Sequence, residues 1–131
     1  KFWNGDISMR YFMTILLNQE YDSGRKPVPE SLYEAMGPYM EKQIASGALI
    51  STGGLKRSNA GTRIQAAGTK TATVDGPFTE AKELVGGYAV LEAADRPAAL
   101  AMAAEFVQLH IDHGMPDIVV EVREIEGGYN F

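Results

Sequence analysis

Tyr11, Met13, Ile15 and Leu17 fall on one side of an extended Arg10–Leu17 segment, with Phe12, Thr14 and Leu16 on the other. The period of two predicts a strand, and two largely apolar sides predict that both faces are covered. Asp22, Ser23, Gly24, Pro27 and Pro29 then predict a loop. From Glu30 to Ser46 the period lengthens: Leu32, Met36, Met40 and Ile44 form a stripe flanked by Tyr33 and Tyr39, as in an amphipathic helix. Gly47 is placed to stop that helix. Pro38, after Gly37, is expected to kink or interrupt it, because proline has no N–H to donate.

Ala48–Leu55 reads as a second strand, in which Gly53-Gly54 marks a bulge or a close backbone approach. Thr62–Ala67 and Lys70–Val74 flank Gly68-Thr69, the spacing of a β-hairpin with Gly68 at positive φ. Val85–Ala93 is a further strand, with Tyr88, Val90 and Glu92 opposite Ala89 and Leu91. Asp95 and Pro97 open a second helix by a side-chain cap and a first-turn proline. Its predicted apolar stripe is Leu100, Ala103, Ala104, Val107 and Ile111, and Gly114 and Pro116 end it. Ile118–Ile125 is the last strand. The order is that of an α+β fold: a split β-α-β pattern with helices on one face of an antiparallel sheet. The other sheet face still carries apolar residues, and the simplest cover is a second copy of the chain, as a homodimer packed sheet against sheet.

The 131 residues suffice for one domain with one core. A net charge of −5 gives the long-range field the wrong sign for non-specific binding to nucleic acid or anionic membrane. With no cysteine, the chain offers no disulfide, thiolate metal site or thiol nucleophile, which is compatible with a cytoplasmic location. No apolar run reaches the roughly 20 residues of a membrane span. Residues 1–8 lack the apolar core of a signal peptide. They read as an extension or cloning remnant before a domain that starts at Met9, an expectation that burial of Phe2 and Trp3 would overturn.

Asp75-Gly76-Pro77-Phe78 runs into Thr79-Glu80-Ala81-Lys82-Glu83 and then Gly86-Gly87-Tyr88. With Gly53-Gly54-Leu55 and Val120-Glu121-Val122-Arg123, this series resembles the DGPF-domain proteins of the YCII-related family, from Met9 to about Ile125. The resemblance implies a ferredoxin-like fold assembled as a dimeric α/β barrel. Its functional content is thin: some relatives resemble small lyases or isomerases of aromatic-compound breakdown, and many are associated with extracytoplasmic-function sigma factors. The YCII branch has a proposed His–Asp pair with its His near the first helix. The histidines of this chain are His110 and His113, so that pair is not carried over.

Each candidate residue has a structural and a chemical reading. Asp75 can serve its own turn by accepting backbone N–H bonds, with Pro77 fixing φ and Phe78 as anchor. At a strand end beside the cleft it is instead a candidate general base. His110 and His113 lie one helical turn apart, but two imidazoles fall short of the three or four ligands a zinc site needs. His110 is a candidate acid/base group because an imidazole titrates near neutrality. Arg123, sharing a strand face with Glu121, and Arg57 and Arg63 are candidate anchors for an acidic ligand. The glycine pairs lack the Gly-x-Gly-x-x-Gly and Gly-Lys-Ser/Thr contexts of phosphate loops. Two functions follow as expectations. One is a small lyase or isomerase without cofactor or metal, acting on an acidic or aromatic molecule through Asp75 and His110, with Arg123 and Arg57 binding substrate. The other is a non-enzymatic ligand-binding or regulatory module associated with sigma-factor-dependent transcription.

Overall fold

The computed structural model describes residues 9–127. The predicted N-terminal extension, with Phe2 and Trp3, lies outside the described residues. The elements are β1 (Met9–Leu17), a one-turn α1 (Gln19–Asp22), α2 (Glu30–Ala45), β2 (Leu49–Gly54), a 3-10 turn (Ser58–Ala60), β3 (Thr62–Ala67), β4 (Lys70–Asp75), β5 (Leu84–Ala93), α3 (Arg96–Asp112) and β6 (Val119–Glu124). Four strands form an antiparallel sheet in the order β2-β5-β1-β6, and β3 pairs with β4 in a separate hairpin. The fold is therefore α+β with antiparallel sheets. Among the described residues the larger sheet is open and does not close into a barrel.

The alternation in β1 and β5 decides which sheet face is the core. Tyr11 and Met13 of β1, with Ala89, Leu91 and Ala93 of β5, are buried in one cluster with Leu49 of β2 and with Ala99 and Ala103 of α3. Met40 of α2 and Met102 and Phe106 of α3 pack against this cluster. A second cluster of Tyr21, Leu32, Met115 and Ile118 closes the end of the sheet near α1. On the opposite face Phe12 stacks on Tyr88, with ring centroids 6.0 Å apart and planes 7° from parallel.

Several local expectations hold. Gly47, Gly68 and Gly114 all have positive φ, and the Asp95 carboxylate accepts a 2.9 Å bond from the Ala98 N–H at the start of α3. Others shift. The loop after β1 begins with α1, where the Asn18 side chain accepts from the Tyr21 N–H. Four residues are too few for helical periodicity to register. Helix α2 runs unbroken through Pro38. Pro38 and Glu34, whose carbonyl loses its donor, are both exposed, so water can take the missing place. The bulge in β2 falls between Leu49 and Ser51, not at the glycines. Gly53 meets a close approach instead, since a Cβ there would lie 2.9 Å from the Tyr88 ring.

The buried stripe of α3 is rotated from the predicted one. Ala99, Ala103 and His110 are buried, while Leu100 and Ile111 are exposed. Alanines let the helix sit close to a sheet whose bulk comes from Tyr11, Met13 and Leu91, so Ala99 and Ala103 take the fully buried positions, with Met102 and Phe106 packed beside them. Leu100, Val107 and Ile111 line an open groove against Val120 and Val122 of β6. No helix among the described residues is long and apolar enough to cross a membrane.

Candidate functional site

A cavity of about 630 Å³ opens between the α2 side of the sheet and the loop that follows α1. Its apolar wall comes from Ile15 and Leu17 of β1, Leu32, Met36 and Met40 of α2, Phe106 of α3, and Met115. Its polar groups are fewer: His110, Tyr21, Lys26 and Arg57, with Thr52 and the exposed Tyr33 at its sides. A largely apolar cavity of this volume lies in the size range of small-molecule pockets.

His110 is only 6% exposed, and its Nδ1 lies 2.8 Å from the Phe106 carbonyl oxygen. A carbonyl oxygen only accepts, so Nδ1 carries the proton and the neutral ring keeps its lone pair on Nε2. Burial lowers the pKa of His110, the charge of His113 adds to this, and the Phe106 bond opposes it. The ring is thus a neutral base at physiological pH.

The two cations are held differently. Arg57 lies over Gly24, where an added Cβ would collide with the guanidinium, and both line the cavity. Gly24 has φ +82°, a conformation that itself favours glycine. Among the described residues no carboxylate pairs with Arg57, which leaves its N–H donors for a ligand. Lys26 lies 3.5 Å from the Asp117 carboxylate and 5.1 Å from the centre of the Tyr21 ring. Asp117 also accepts from the Tyr21 hydroxyl and from the Asn18 amide, each at 3.0 Å. Burial would raise the Asp117 pKa, but the bonds from Tyr21 and Asn18 and the charge of Lys26 outweigh it and hold it low. Burial and the Asp117 bond push the Tyr21 phenol up.

Of the predicted site residues, the cavity brings together His110 and Arg57. Asp75 is exposed at the end of β4, accepts a 3.0 Å bond from the Thr62 hydroxyl, and does not line the cavity. Arg123 lies on β6, opposite Phe12 of β1, on the sheet face away from the helices. It sits 3.7 Å from Glu121. His113 turns from His110 to the Ser31 hydroxyl, 3.1 Å away. Arg63 is engaged by Glu80 at 2.9 Å and lies over the Phe78 ring. Tyr21 and Lys26 were not singled out from the sequence. They come from the one-turn α1 and the loop after it and are held by Asp117, nearly a hundred positions away, so no local pattern marks them.

The Asp75–Phe78 turn is docked rather than free. The buried Asp22 carboxylate accepts from the Ser58 N–H at 2.8 Å and the Ser58 hydroxyl at 2.6 Å. The same hydroxyl accepts from the Phe78 N–H, and the Gln19 amide donates to the Phe78 and Ala81 carbonyls. A Cβ on Gly76 would collide with the Ser58 carbonyl oxygen. The motif therefore fixes the Ser58–Ala60 turn that immediately follows Arg57.

Fold and site together define a small α+β domain with a ligand-sized cavity between sheet and helices. Residues 9–109 match the YCII-related domain, and the chain belongs to that family. No curated protein matches it.

Proposed function

We propose that the cavity binds a small acidic or aromatic molecule and that His110 is the general base of a cofactor-free lyase or isomerase. The observation that supports this most is the tie between His110 Nδ1 and the Phe106 carbonyl, which leaves Nε2 as the basic nitrogen of a residue lining the cavity. In the proposed step Nε2 takes a proton from a carbon beside an electron-withdrawing group. The C–H electron pair becomes an enolate, whose charge Arg57 and Lys26 offset, and the imidazolium returns the proton to another carbon. The test is proton exchange. Unsaturated carboxylic acids incubated in heavy water with the protein are followed by NMR, and the wild type is expected to exchange their acidic C–H faster than His110→Gln by about 10²–10⁴-fold. Equal rates across the set would rule out the enzymatic reading.

A second reading is a non-enzymatic ligand-binding or regulatory module working alongside sigma-factor-dependent transcription. The groove between α3 and β6, lined by Leu100, Val107 and Ile111, favours it as an exposed apolar surface away from the cavity. Ligand binding that survives His110→Gln, with no proton exchange by either protein, is its expected signature.

The strand order β2-β5-β1-β6, with α2 and α3 as the connections, supports a ferredoxin-like reading of the chain. The sheet face around Phe12 and Tyr88 is the surface on which we expect a second copy to pack, completing a two-chain barrel.

A further inference from the structure

We infer that the cavity selects a planar ring bearing one anionic group, and that Gly54 is the residue that sets this selection. The inference rests on the cavity being the ligand site. One of its walls is bare backbone, made by Gly53 and Gly54 of β2 with Gly86 and Gly87 of β5. Three of these glycines have close neighbours that an added Cβ would have to displace. A Cβ on Gly53 would lie 2.9 Å from the Tyr88 ring, one on Gly86 would collide with Leu17, and one on Gly87 would lie 3.0 Å from the Gly53 carbonyl oxygen.

Gly54 is different. Nothing lies within 4 Å of a Cβ built there, and its φ is not positive, so neither packing nor backbone conformation demands glycine. Glycine weakens a strand, so its presence without a steric reason points to the space it leaves. Strand alternation puts Gly54 on the same side as Thr52, and both line the cavity. A side chain at 54 would therefore enter the volume a ligand occupies.

Without side chains on these paired strands, the cavity has one flat side. Flat peptide groups of paired β2 and β5 form one side, and Met36, Met40 and Phe106 line the cavity from the helices. A planar π system fits against peptide planes without a side chain in the way, and thioethers adapt to its outline. The anion anchor sits on the same stretch of chain, since Arg57 follows Gly54 by three positions. A rigid molecule with its acid group at one end of a flat ring satisfies both.

The test uses 2-naphthoate and its saturated, puckered counterpart decahydro-2-naphthoate, titrated calorimetrically into the full chain. Wild type is expected to bind the planar acid at least about tenfold more tightly than the puckered one, a discrimination within reach of shape in an apolar pocket. Gly54→Val is expected to weaken 2-naphthoate binding by a similar factor. Arg57→Gln is expected to weaken both acids. Thermal unfolding reports whether the valine variant is folded, and Gly54→Ala repeats the test with a smaller intrusion. Equal affinity for the two acids, or indifference of 2-naphthoate to both Gly54 variants, overturns the inference while Arg57 dependence keeps the site. Binding of neither acid, or binding indifferent to Arg57→Gln and His110→Gln, removes the site reading and the inference with it.

Discussion

The His110 ring lies 4.5 Å, centroid to centroid, from the Phe106 ring and donates its Nδ1 proton to the Phe106 carbonyl at 2.8 Å. One residue thus fixes both the orientation and the tautomer of the other. The helix supplies the acceptor from its own preceding turn, so the arrangement needs no third group.

Burial first, and then His113, depress the pKa of His110 below the ordinary 6.5. NMR titration of the imidazole is expected to show protonation only below that value. The unfolded chain then binds more protons between the folded-state pKa and 6.5, so stability falls as pH drops through that window and levels off beneath it. His110→Gln is expected to lose this slope in urea unfolding measured across the window. A folded-state pKa at or above 6.5 would contradict the buried, neutral base.

How much of this was legible varies with the distance over which the cause acts. The apolar alternation of β1 and β5 and the stop at Gly47 are local, and they were readable. His110 was readable as a titratable group near neutrality, but not its tautomer, which depends on a helix carbonyl. The buried stripe of α3 was read correctly at Ala103 and wrongly at Leu100 and Ile111, which look like core residues but are exposed, while the close approach to the sheet is made by Ala99 and Ala103. Lys26 and Tyr21 had no local signal, because Asp117 gathers them from the far end of the chain.

Gly76 and Asp75, neighbours in one motif, are expected to respond differently to substitution. Gly76→Ala drives a methyl group into the Ser58 carbonyl, and overpacking of this kind costs about 1–3 kcal/mol. Asp75→Asn keeps an oxygen to accept from Thr62 at an exposed position. Urea unfolding is expected to show a lowered midpoint for the first and little change for the second. Binding of 2-naphthoate is expected to be unchanged in Asp75→Asn, and a marked loss would bring Asp75 back as a site residue.

Gly37 offers the converse. It is exposed inside α2, with nothing within 4 Å of an added Cβ and no positive φ. Gly37→Ala is expected to raise stability by about 0.5–1 kcal/mol, chiefly by restricting the unfolded chain. The measurement is the same urea midpoint. A decrease would mean that the unbroken path of α2 past Pro38 depends on glycine.

Phe12 tests the second copy. It is 38% exposed although it stacks on Tyr88, and Val119 and Val85 nearby on the strands are more exposed still. Ion pairs Arg10–Glu92 at 3.5 Å and Arg123–Glu121 at 3.7 Å carry both signs of charge. Phe12 pairs with Arg123 and with Val90, and Arg10 with Glu92, which puts this charge beside the apolar band. A face with apolar residues at its centre and both signs of charge can complement itself under a twofold axis. Light scattering is expected to give the mass of two chains for the wild type. Phe12→Glu sets like charges against each other across such an axis and is expected to give one chain, with its thermal unfolding otherwise cooperative. A wild type that scatters as a single chain leaves the Phe12 face without its partner, and the two-chain barrel falls with it.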